Sequence, residues 1–328
     1  MLNENDLNRE AAAAGFRPEA LEKVIRLIEL LEGLRSHPFL KSRIALKGGT
    51  AFNLFVFDVP RLSVDIDLNY IGALDRKTML DERPKVDQAI QAVCGRQRLQ
   101  TKRVPADHAG GKWRLSYTTI TGRPGAIEVD VNFMLRTPLW PPSIIDSKRI
   151  GSFGATQIPV LDIHELAAGK LAALFARAAS RDVFDVHELL GATSVDRTKL
   201  RLGFVVYGGI NRRDWRTVSL DDVKADPVDV ERQLLPLLRA NLAPSREHVV
   251  EWSKQLESEC RDRLSVVLPL TPEEVEFLSR LNDRGEVAPG LLTADVTLQS
   301  TISAHPGLQW KAQNVRKHHG LTGDSDEA

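Results

Sequence analysis

Asp65 and Asp67 stand one residue apart in the run Arg61-Leu62-Ser63-Val64-Asp65-Ile66-Asp67-Leu68. Read as a strand, this run puts both carboxylates on one face and Val64, Ile66 and Leu68 on the other. Paired carboxylates suit Mg²⁺, which takes one or two of them and completes its shell with phosphate oxygens and water. Just upstream, Leu46-Lys47-Gly48-Gly49-Thr50 reads as a short strand turning through glycines into a helix. Glycine lets the backbone approach a phosphate closely, and a helix start offers unpaired N–H groups. Thr50 adds a hydroxyl, and Lys47 and Arg61 are cations able to pair with phosphate oxygens. The combination implies a site for a divalent metal and a nucleoside triphosphate (NTP), and so nucleotidyl transfer. Each part also has a plain reading: acids at a sheet rim, a turn that needs positive φ, solvated surface charges.

Two-metal chemistry expects a third acid. Glu128 and Asp130 lie two apart on another alternating run, with Ile127, Val129 and Val131 facing the other way. If that strand lies beside the first, Asp130 completes the metal set or serves as general base; Glu128 is the alternative. Further along, Lys170 and Arg177 share a helix face, and Asp182 and Asp185 share a face of the next helix. Lys170 sits among alanines and leucines, so its stem would cross packed surface with its ammonium reaching a cleft. Spacing alone favours a helix–helix salt bridge among these four. The eight histidines are dispersed, and no Ser-His-Asp or Cys-His set can be read from their order. Basic clusters at 96–103, 212–216 and 311–319 could meet RNA phosphates, although such runs are more often solvated faces.

These residues need elements to hold them. An apolar stripe at Leu21, Val24, Ile25, Ile28 and Leu31 predicts a helix over 18–35, with Pro18 in its first turn. Strands are expected at 43–46 and 63–70, with a short helix over 50–57 between them. A helix is expected over 76–93, with Pro84 setting a start or break. Alternating runs at 113–120 and 126–134 flank Thr121-Gly122-Arg123-Pro124-Gly125, a hairpin signal. Pro, Gly and Ser crowd 138–154, which places a domain boundary near 150. Beyond it come a strand at 157–161, a helix to about 178 with Asp162 and Glu165 as a capping box, and helices over 181–190, 195–206, 228–240 and 245–257. Thr271-Pro272-Glu273-Glu274 is a further capping box. The reading is therefore an α+β domain over 1–150 with a mixed sheet, then a mainly helical domain over 151–328, frayed from about 321.

Composition narrows the classes. Among 328 residues, 44 Lys and Arg balance 44 Asp and Glu, so no global field draws the chain onto nucleic acid. Its two cysteines, Cys94 and Cys260, lack ligand spacing, which argues against zinc or a disulfide scaffold and suits a reducing cytosol. Nothing approaches a signal core or a membrane span. The expectation is a cytoplasmic protein with no membrane partner.

The chain resembles the AbiEii/MenT nucleotidyltransferase-like toxins. The resemblance rests on Leu46-Lys47-Gly48-Gly49-Thr50-Ala51 with Arg61 to Leu68, on the block from Lys170 to Arg177 with Arg181-Asp182-Val183-Phe184-Asp185, and on His305-Pro306-Gly307-Leu308-Gln309-Trp310-Lys311. It implies a polymerase-beta-like nucleotidyltransferase core, a helical C-terminal domain, Mg²⁺ with NTP as substrate, and a cognate antitoxin. Some members transfer nucleotides to the 3′ end of tRNA. Carried over by position, Ser63 and Asp65 fall on the S-x-D of the family and Asp67 on its second acid. Lys170 falls on its helix lysine, and Asp182 or Asp185 on its late aspartate. Lys170 then contacts the triphosphate. Thr50 stands where the plain polymerase-beta motif has serine, and the stretch from Gly49 to Asp65 is longer than in that motif. The rival readings are an antibiotic- or protein-modifying nucleotidyltransferase, and a non-catalytic module that binds nucleotide or antitoxin.

Overall fold

Alternating apolar and polar residues build a seven-stranded mixed sheet around which the first half of the chain is organised. The computed structural model describes residues 3–104, 110–192 and 195–320; the tail expected to fray lies outside them. Helices α1 (Glu4–Ala14) and α2 (Pro18–Ser36) precede β1 (Ile44–Lys47). A short helix, α3 (Gly48–Ala51), continues as a π turn over Phe52–Val56 and leads to β2 (Asp65–Tyr70). Next come α4 (Arg76–Arg96), β3 (Gln100–Val104), β4 (Gly110–Thr118), β5 (Pro124–Asn132), β6 (Ser143–Ile145) and β7 (Ile158–Val160). The strand order is β3-β4-β5-β2-β1-β7-β6. Two central pairings, β2 with β5 and β1 with β7, are parallel, and the rest are antiparallel.

One face of this sheet is apolar. Ile44, Leu46, Ile66, Leu68, Trp113, Leu115, Ile127, Val129 and Val131 are all buried there. Leu31 and Leu34 of α2 close over Ile44, Leu46 and Leu68, which is why the helical stripe recurs every three to four residues. Helix α4 is clamped at Glu82, which accepts from the Tyr70 hydroxyl at 2.6 Å and from Arg43 at 2.9 and 3.1 Å. Pro84 was expected to start or break this helix, yet the helix runs through it. The hydrogen bond lost at Pro84 is offset by the burial of Val86, Ala89, Ile90 and Val93 beyond it.

The chain divides into two compact units. The first is Met1–Asp162 with Asp226–Ser253; the second is Ile163–Ala225 with Lys254–Ala328. A simple split at 150 would give 226–253 to the second part. The reason it joins the first lies in hydrogen bonds. The helix expected over 228–240 breaks into Pro227–Asp229, a π turn at Val230–Leu234 and a 3-10 turn at Leu235–Leu237. The chain then runs extended beside the loop before β2: Leu62 N–H donates to Leu237 at 2.8 Å, and Arg239 N–H donates to Pro60 at 2.9 Å. Pro236 forbids a continuous helix there.

The second unit is helical. It holds α5 (Ile163–Arg177), α6 (Ser180–Ala192) and α7 (Arg197–Ile210), then helices at Pro272–Ser279, Val296–Ser303 and Pro306–His318. The capping box at Thr271 and Glu274 forms as expected. Glu165 is buried and accepts from the Tyr207 hydroxyl at 2.6 Å.

Candidate functional site

The second face of the sheet carries the acids. Ile66 and Leu68 point into the core, so Asp65 and Asp67 project together from the other side of β2, each half-buried. Register fixes their neighbours. Asp67 lies opposite Lys47 of β1 on one side and opposite Asp130 of β5 on the other. Asp65 lies opposite Glu128. One strand further out, Lys112 faces Asp130 and Arg114 faces Glu128. A cation, two acids and a second cation therefore form one row across β1, β2, β5 and β4.

The glycine turn abuts this row. Gly48 has φ +73, and a Cβ added there would stand 2.2 Å from Asp67 Oδ2. Only glycine permits that backbone with the carboxylate so close. A Cβ on Gly49 would lie 2.9 Å from Ser63 Oγ and 3.1 Å from Arg61 Nη2. Gly48, Gly49, Arg61, Ser63 and Asp67 thus converge. Thr50 differs from expectation. It is fully buried, and its hydroxyl donates to the Asp65 carbonyl at 2.5 Å, so it ties α3 to β2 rather than facing a phosphate. Arg61 is also buried, with Nη1 donating to the Leu62 carbonyl at 2.8 Å.

Charges on this face push on one another. Loss of hydration against the neighbouring strands raises the Asp130 carboxyl above its ordinary 3.8. Lys47 and Lys112 pull it down, Asp67 and Glu128 push it up, and the net shift is upward. Glu128 has a partner of its own, the Lys112 ammonium at 2.6 Å. That hydrogen bond, with the fields of Glu128, Asp130 and Asp65, raises the Lys112 ammonium despite some loss of hydration. Of the two candidate third acids, Asp130 faces Asp67 and Glu128 is held by a lysine. Among the described residues no group of three or more His, Cys, Asp or Glu stands ready as a metal cage. Two strand carboxylates remain an adequate donor set for a cation that brings its own phosphate and water ligands.

Two residues on this face escape a sequence reading. Lys112 emerges only once hairpin register is known. Asn69 continues the alternation after Asp65 and Asp67. It is fully buried, and neither amide atom has a hydrogen-bond partner among the described residues. The D-x-D-x-N spacing was its one available signal.

In the second unit, Lys170 is buried and bonded to both late aspartates: Nζ lies 3.0 Å from Asp182 Oδ1 and 2.8 Å from Asp185 Oδ2. Both aspartates are buried as well. Arg177 reaches Asp182 from solvent with bonds of 2.7 and 3.1 Å. Burial alone would raise the Asp182 carboxyl; Lys170 and Arg177 overcome it and hold the group below its ordinary value. The helix–helix salt bridge that spacing favoured is therefore present, and α5 and α6 are its two sides.

Comparison with known proteins agrees with this architecture. The fold matches MenT4, a nucleotidyltransferase toxin from Mycobacterium tuberculosis H37Rv, with a TM-score of 0.59 over 92% of this chain and 98% of that one. Identity is 17%, so this likeness speaks for the fold alone. No curated protein matches the sequence. The family described as nucleotidyl transferase AbiEii toxin, type IV toxin–antitoxin system, matches residues 29–265, a span that holds the acid face, the glycine turn and the Lys170 cluster. The chain belongs to the AbiEii family of nucleotidyltransferase toxins.

Proposed function

We propose that this toxin moves a nucleoside monophosphate from an NTP to an acceptor hydroxyl, the 3′ end of a tRNA, and releases pyrophosphate. One observation carries the reading: Asp65 and Asp67 share a face of β2, with Asp130 opposite Asp67 and the Gly48 backbone against it. Asp65 and Asp67 would hold Mg²⁺. When bound, that ion offsets charge on the phosphates and on the departing pyrophosphate. The Gly48–Gly49 backbone and Ser63 shape the space for the phosphates, and Lys47 supplies a cation at its edge. Arg61 buttresses this turn from below. Asp130, whose carboxyl binds a proton more tightly than usual, accepts the proton of the attacking hydroxyl. Lys170 keeps the functional assignment that family resemblance gives it, with Asp182 and Asp185 orienting its ammonium. A cognate antitoxin is the expected partner, and the cytoplasm, where NTP and tRNA meet, is the expected place of action. No helix of the described residues is long and apolar enough to cross a membrane.

Calorimetry tests the nucleotide step. The protein should bind NTP only with Mg²⁺, and Asp67→Asn should lose that binding while melting at the same temperature. Wild-type protein that takes up no nucleotide with Mg²⁺ would contradict the reading in favour of a non-catalytic, regulatory module.

A further inference from the structure

The acid face does not end at Asp130. It continues outward over β4 and β3, and the outward-pointing residues there change sign. On β4 they are Lys112, Arg114 and Ser116; on the edge strand β3 they are Gln100 and Lys102. Arg114, Ser116, Gln100 and Lys102 are exposed. Trp113 and Leu115 point into the core, so the strands are anchored from behind. Lys102 lies directly opposite Arg114. The acid on the other side of Arg114, Glu128, is already held by Lys112 at 2.6 Å, so the two facing cations share too few acids and like charges across a strand pair repel.

Cations therefore flank the acids on two sides with different geometry. On the β1 side, Lys47 stands beside the close-approach glycine backbone, a compact arrangement for a triphosphate. On the β4–β3 side, Arg114 and Lys102 stand on adjacent strands about 5 Å apart, with Lys112 two residues along β4 and held by Glu128. That spacing suits a repeating anion rather than a single phosphate group. The geometry points to the outward face of β3 and β4 as the docking surface for the acceptor RNA strand. The phosphodiester backbone crosses Lys102 and Arg114 and delivers its terminal hydroxyl toward Asp130. This inference rests on the nucleotidyltransferase reading and specifies its acceptor. A polycationic small molecule, such as an aminoglycoside, would meet repulsion on the same path.

The test uses the full chain and a short fluorescein-labelled single-stranded RNA, with binding read by anisotropy between about 50 and 200 mM salt. Lys102→Gln with Arg114→Gln should weaken binding about tenfold at the lower salt and reduce the log–log salt slope by about 1.4, two phosphate contacts at about 0.7 each. The affinity for Mg²⁺-NTP should not change. A control pair, Arg232→Gln with Lys254→Gln, removes two exposed cations elsewhere and should leave RNA binding as in wild type. Equal RNA affinity in wild type and the Lys102/Arg114 variant would overturn the proposal. So would equal weakening by the control pair, or no RNA binding by wild type. If RNA binding behaves as expected while NTP binding fails, the surface stands and the catalytic reading falls; the reverse result removes the surface alone.

Discussion

Gly48 shows how tightly single residues constrain this site. Its positive φ and the 2.2 Å approach of a would-be Cβ to Asp67 Oδ2 leave no room for a side chain. Gly48→Ala should cost about 1–3 kcal/mol of unfolding free energy, read by denaturant titration. It should also displace Asp67 and lower transfer by about a hundredfold or more, the scale of losing one preorganised group. Asp65→Ala should abolish transfer with the fold intact, because its carboxylate projects from the core rather than into it. The acid pair and the glycine turn were legible because strand alternation and glycine's freedom are local properties. The roles of Thr50, Glu128 and Lys112 were not legible. Each depends on what a neighbouring element presents: the Asp65 carbonyl for Thr50, and β4–β5 register for the other two.

At the scale of elements, the α5–α6 pair is held by charge inside an apolar setting. Removing Lys170 leaves the buried Asp182 and Asp185 without their shared ammonium. Lys170→Met should therefore destabilise the protein by about 3–5 kcal/mol, and lost activity in that variant alone says little about chemistry. Adding Asp182→Asn and Asp185→Asn should restore much of the stability seen in thermal melts while transfer stays absent. A functional lysine requires that split; a purely structural one would recover both. The same cluster sets a pH response. The Asp182 carboxyl is held below its ordinary 3.8 in the fold. Its stabilising contribution is thus complete above about 4 and is lost as pH falls through the lowered folded value. Unfolding free energy measured from pH 5 to pH 2 should fall less steeply in Asp182→Asn than in wild type. Spacing alone had suggested this ion pair, because i, i+7 and i, i+3 positions announce shared faces. The helices expected over 76–93 and 228–240 were harder to read. Proline acts through tertiary context, tolerated in the first where burial continues beyond it and decisive in the second where the loop before β2 offers backbone partners.

At the scale of the whole molecule, the strands of the first half and the helical second half were both legible from hydrophobic period, and the family from motifs spread in order along the chain. The return of 226–253 to the first unit was not, because it rests on long-range backbone hydrogen bonds with no sequence pattern of their own. The net charge of zero hid a local asymmetry: the acids on β2 and β5 and the cations on β4 and β3 cancel in the sum yet stay separated on the sheet. The central claim is that the β2 acids, with a divalent cation, drive nucleotidyl transfer. It is tested most directly by incubating the protein with total tRNA and each α-labelled NTP in turn, with and without Mg²⁺. Label should pass to tRNA from at least one NTP, only with Mg²⁺, and not at all with Asp65→Ala. Labelling that persists in Asp65→Ala, or fails with every NTP in wild type, would contradict the account.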